Sequence, residues 1–110
     1  MANGLLGKAV SVANQFVKAY QVPATGVEFA TVSIHVLNKD TAIGRVDIVI
    51  GPTDTPSDVD FISFKDELVA EGGVVEHNCF LLSPGERVLV RSDNAQTIIR
   101  VHGLEKLAIA

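Results

Sequence analysis

Turn-forming residues punctuate this chain roughly every 8 to 14 residues, and the segments between them alternate with period two. Between residues 27 and 37, Ala30, Val32, Ile34 and Val36 form one apolar set, with Thr31, Ser33 and His35 between them. That pattern, rich in β-branched residues, predicts a strand in a half-buried sheet. Asn38, Lys39 and Asp40 make a polar turn, and residues 43–50 repeat the alternation with Val46, Ile48 and Ile50 inward and Arg45 and Asp47 outward. Gly51, Pro52 and Pro56 exclude a central strand from the acidic stretch that follows. Further strands are expected from residue 59 to about Phe64 with an irregular edge after it, from Val74 to Leu82, from Arg87 to Arg91, and from Thr97 to Gly103. Seven to eight short strands with turns between them argue for an all-β fold, an antiparallel β-sandwich or barrel, and the sandwich is the expectation taken forward.

The first 20 residues are ambiguous by pattern. Leu5, Leu6, Ala9, Val10, Ala13, Phe16, Val17 and Tyr20 fit a helical stripe, but Gly4, Gly7 and the valines weaken it. The favoured reading is an extended N-terminal arm over residues 1–15, a sandwich over 16–103 whose first strand covers 16–22, and a C-terminal tail over 104–110. An apolar arm and tail outside a small domain must be buried against something else. Leu5, Leu6, Val10, Val12, Phe16, Leu104, Leu107 and Ile109 are therefore the candidate interaction residues.

Composition narrows the function classes. At 110 residues there is room for one domain, and 47% apolar residues with a mean hydropathy of +0.32 exceed what a free monomer of this size hides easily. The apolar runs are far too short for a membrane helix. Nine basic against 13 acidic residues, with the basic ones scattered, give a net charge of -4 and argue against nucleic acid and anionic membrane partners. The single cysteine, Cys79, precludes an intrachain disulfide and reads as a small buried hydrophobe beside Phe80, Leu81 and Leu82. The N-terminal residues lack the features of a secretory signal, so the protein is expected to act where it is made or to leave within a larger particle.

No reaction chemistry stands out. Asp54, Asp58 and Asp60 lack the glycine and terminal glutamate of a calcium loop and read as a solvated loop. His35, His77 and His102 fall on different strands, at polar positions or near strand ends, where exposure is the expectation. Ser83 sits in a proline turn without the nucleophile elbow of hydrolases. No phosphate-binding glycine loop is present, and without tryptophan the chain lacks aromatic stacking platforms. The chain is read as a non-enzyme with no catalytic, cofactor or metal residues.

Three segments resemble small β-sandwich virion structural proteins of tailed bacteriophages. The first is Tyr20, Val22, Pro23 and Ala24 leading to the 30–38 strand that ends in Asn38; the second is Val46 to Ile50 followed by a proline loop and Asp60, Phe61 and Ile62. The third and most specific runs from Leu81 through Ser83, Pro84, Gly85, Glu86 and Arg87 to Asp93, ending in Ile99 to Glu105. Together they span about residues 16–105. The chain departs from the family at residues 71–79, often alanine-rich there, and at His102, where an aromatic is more usual. The resemblance implies a virion component located on a capsid, neck or tail, assembled in the host cytoplasm, and carries no enzymatic residues over. The expected role is a capsid decoration or cement protein that contacts the major capsid protein or other virion proteins and forms a homo-oligomer. A neck, tail or fibre-base protein is the alternative, and a free small-ligand-binding module the more distant one.

Overall fold

In a computed structural model, which describes residues 3–109, eight strands form two four-stranded antiparallel sheets. The strands are β1 (Asn3–Val10), β2 (Phe16–Gln21), β3 (Val27–Asn38), β4 (Gly44–Gly51), β5 (Phe61–Leu68), β6 (Gly73–Leu82), β7 (Arg87–Ser92) and β8 (Thr97–Leu107). The first sheet has the order β1-β8-β3-β6 and the second β2-β7-β4-β5. This is the expected β-sandwich.

The period-two pattern translates directly into packing. Ala30, Val32, Ile34 and Val36 of β3, Val46 and Ile48 of β4, Val88 and Val90 of β7, and Ile99 and Val101 of β8 are all buried between the sheets. Each valine or isoleucine among them contributes about 1.5 to 3 kcal/mol by leaving water. At one end of the sandwich, fully buried Asn38 replaces apolar packing with hydrogen bonds. Its Nδ2 donates to the carbonyls of Ala42, Leu68 and Val69, and its Oδ1 accepts from the Asp40 backbone N–H, so one side chain ties the β3–β4 and β5–β6 connections together. The turn at Ser83 to Glu86 closes with the Glu86 N–H donating to the Ser83 carbonyl at 3.0 Å, and Gly85 supplies the positive φ of 86°.

The ends of the chain differ from expectation. Residues 3–10 are extended but do not lie outside the sandwich: β1 pairs with β8 from Asn3↔Leu104 to Val10↔Ile98. Gly7 allows this, because a Cβ there would collide with the carbonyl oxygen of Ala19 in β2. The glycine that weakened the helical reading is the one that lets β1 close onto the other sheet. The C-terminal tail is likewise shorter than expected, since β8 continues through Leu104 to Leu107, paired with β3 as far as Val27. β5 also runs past Phe64 to Leu68, bent at Lys65, whose φ is 52°.

All four edge strands carry a bulge with the extra residue on the edge strand. The register slips between Leu5 and Gly7 in β1, between Lys18 and Tyr20 in β2, opposite Val46 and Ile48 in β5, and opposite Val32 and Ile34 in β6. Bulged edges twist away and present a broken row of backbone donors and acceptors, which blocks pairing with another chain's strand. Cys79 belongs to the β6 bulge with a φ of 67°, and it is exposed rather than buried because the bulge takes it out of the alternation.

Candidate functional site

The outward face of the first sheet is ordered in rows that the strand register defines. One transverse row is entirely aliphatic: Val10 of β1 pairs with Ile98 of β8, Ile98 with Leu37 of β3, and Leu37 with Val74 of β6. Val10 is 59% exposed and Val74 47%. Two residues along each strand lies a charged row, Lys8, Arg100, His35 and Glu76, in which the His35 Nε2 stands 3.5 Å from a Glu76 oxygen. The row is cationic on the β1 and β8 side and acidic at β6. Beyond it come Leu5 and His102 with Ser33, then Leu104 with Thr31 and Leu81. Ser33, His35, Glu76, Asn78, Arg100 and His102 line a shallow depression of about 470 Å³ in the middle of this face.

The outward face of the second sheet is treated differently. Val49 of β4 and Leu89 of β7 point away from the core by parity, yet both are buried. Phe61 lies opposite Val49, its ring centroid is 6.1 Å from that of Phe16, and Phe64 extends the edge-to-face chain at 5.7 Å. The Arg91 guanidinium stacks 4.5 Å from the Phe16 centroid while its Nη2 and Nε hold Asp47 at 2.7 and 2.8 Å. The Lys65 backbone N–H completes the satisfaction of Asp47 at 2.7 Å, which explains how that carboxylate is buried.

The loop after β4 folds back over the same face. Asp54 accepts from Arg87 Nη1 at 2.8 Å and lies 3.9 Å from Lys18. The hydrogen bond from Arg87 is the largest influence on the Asp54 carboxyl and draws it below its ordinary pKa; desolvation opposes it, and the charges of Lys18 and Arg87 add to it. Asp54 of the acidic loop is therefore matched by cations from β2 and β7, which sequence order does not reveal.

The candidate interaction residues separate under this geometry. Leu5, Val10 and Leu104 share the outward face of the first sheet, with Leu107 at its end and Ile109 beyond β8, 88% exposed. Leu6 turns inward and packs against the core, Val12 is exposed in the connection between β1 and β2, and Phe16 lies on the opposite face beneath Arg91. Sequence reasoning missed Ile98, Leu37 and Val74, because a row across four strands depends on register. The histidines are also split. His35 and His102 face outward as expected, whereas His77 turns toward β5, with its Nε2 3.7 Å from Asp66 and buried without a hydrogen-bond partner. Among the described residues no group of three His, Cys, Asp or Glu is placed to hold a metal. Compared with known families and curated proteins, the chain matches no family model and no curated protein.

Proposed function

We propose that this chain is a non-enzymatic structural component of a tailed-phage particle, a decoration or cement protein that stabilises the capsid through contacts between subunits. The observation that carries the reading is the uncovered aliphatic side chains on the outward face of the first sheet. A freely dissolved antiparallel sandwich turns polar residues to water on its outer faces. Here Leu5, Val10, Val74, Leu81 and Leu104 occupy that position. The resemblance of residues 16–105 to virion proteins gives the class of assembly. At about 25 cal/mol per Å², a few hundred Å² covered per copy adds several kcal/mol before association costs, repeated at every site on a shell.

Copy number tests the reading. Virions purified from a host producing this chain should contain it in hundreds of copies, measured by gel densitometry against the major capsid protein. Six or twelve copies would assign it to the neck or tail instead. Its absence from the particles would overturn the virion reading altogether.

A further inference from the structure

We propose that the outward face of the first sheet is a homodimer interface, in which a second copy of this chain packs face to face with the two-fold axis running along the strands. The proposal deepens the reading above by naming the neighbour that covers this face, and it rests on that reading only in taking the face to be a protein contact.

The register supplies the argument. A two-fold axis along the strands places β1 over the partner's β6 and β8 over the partner's β3, leaving each row opposite its own copy. Val10 then meets the partner's Val74, and Ile98 meets the partner's Leu37, so the aliphatic row is covered by itself. In the next row Lys8 meets the partner's Glu76, and Arg100 meets the partner's His35. Each copy contributes a cationic side and an acidic side, and the rotation brings opposite signs together twice. Leu104 comes over the partner's Thr31. An axis across the strands does worse: it sets the charged row against the row of Leu5 and His102, so that Lys8 lies over leucine and loses its carboxylate partner, while Arg100 meets a histidine in either arrangement.

Size and the alternatives favour the same arrangement. Four strands about 4.8 Å apart and four rows about 7 Å apart make a face of roughly 500 Å². Two such faces bury roughly 1,000 Å², the lower limit for a specific interface. Aligned packing of sheets at about -30° is the ordinary geometry for twisted faces. Pairing through edges is blocked by the bulges on β1, β2, β5 and β6, and the second sheet's face is partly covered by the Asp54 loop and its own aromatic residues, of which Phe64 stays exposed.

Charge reversal at two exposed positions tests the proposal by sedimentation equilibrium of the purified chain. The unaltered protein should be dimeric in the micromolar range, and Lys8→Glu or Glu76→Lys alone should weaken the dimer about tenfold or more, because like charges then meet at both symmetric positions. An equimolar mixture of the two variants should form heterodimers, since the acidic side of one copy then faces the basic side of the other at both positions. The double variant should regain self-association. Circular dichroism shows whether each variant keeps its β-sheet signal, and the mixture is itself a control for folding. A monomeric unaltered protein, or a dimer indifferent to both reversals, overturns the proposal. A monomer that is nevertheless abundant in virions overturns the dimer and leaves the virion reading standing; a charge-sensitive dimer missing from virions does the reverse.

Discussion

Tyr20 shows how much one side chain can couple the two sheets. It lies on β2 at 8% exposure, and its hydroxyl donates to Glu105 of β8 at 2.5 Å. Burial comes first, then the hydrogen bond and charge of Glu105, in raising the phenol far above its ordinary value of 10.0. The sign follows from linkage. The folded state holds the proton more tightly than the unfolded chain, so this contribution is fully present below about pH 10 and is lost as pH rises through the folded-state value. Tyr20→Phe should cost about 1 to 2 kcal/mol near neutral pH, by deleting a hydrogen bond to a charged, partly buried acceptor. In urea titrations from pH 7 to 11, the advantage of the unaltered protein over the variant should stay level to about pH 10 and then shrink. An advantage that does not change at alkaline pH would mean that the phenol titrates alike in both states. Tyr20 was legible as part of a first strand over residues 16–22. Its partner was not, because residue 105 lay in what read as a tail and the pair is joined only by the fold.

At the scale of elements, β1 is where sequence and structure part. Alternation was strong enough to place β3, β4, β6, β7 and β8 within a few residues, since each has one face against the core and a turn of glycine, proline, asparagine or aspartate at its end. In β1 both marks are blurred: its glycines read as arm, its inward Gly7 and Ala9 are too small to advertise burial, and Leu6 packs on the core only at the bulge that breaks the alternation. Leu5 and Val10, the residues that made the arm look sticky, face outward instead. The consequence reverses a natural expectation about truncation. Removing residues 1–10 should not trim an arm from an intact sandwich; it uncovers the edge of β8 from Ile98 to Leu104 and the patch of β2 on which Gly7 sits. A domain of this size has about 5 to 15 kcal/mol of stability, which the loss of one of eight strands is enough to exhaust. The truncated chain should show no cooperative thermal transition by circular dichroism, and a sharp melt close to that of the full chain would restore the arm. The candidate site was legible in the same uneven way: the sequence pattern identified Leu5, Val10 and Leu104 as apolar residues lacking a place in the core, but only register aligns them with Ile98, Leu37 and Val74.

For the molecule as a whole, the amount of surface is ordinary and its distribution is not. The accessible area is 5984 Å², against roughly 5,900 Å² expected for a compact chain of this mass. The apolar excess in the composition is thus not hidden by an unusual shape: among the described residues twelve large hydrophobic side chains stay exposed, of which Leu5, Val10, Val74, Leu81 and Leu104 share one broad side of a slab measuring 49 × 27 × 19 Å and the others are spread over its loops, ends and opposite face. A slab can associate by its broad side or by its ends, and scattering in solution distinguishes the two. Stacking by the first sheet adds two layers to the short dimension, with the copies' centres about 20 Å apart. Starting from a radius of gyration of 13.8 Å for one chain, a stacked dimer should reach only about 17 Å at that separation. Joining through Leu107 and Ile109 at the ends would separate the centres by about the length of the slab, giving about 28 Å by the same geometry. Small-angle scattering at a concentration where sedimentation shows dimer should therefore give the smaller radius. The larger value would mean that the exposed C-terminal residues, and not the register of aliphatic and charged rows, decide how two copies meet.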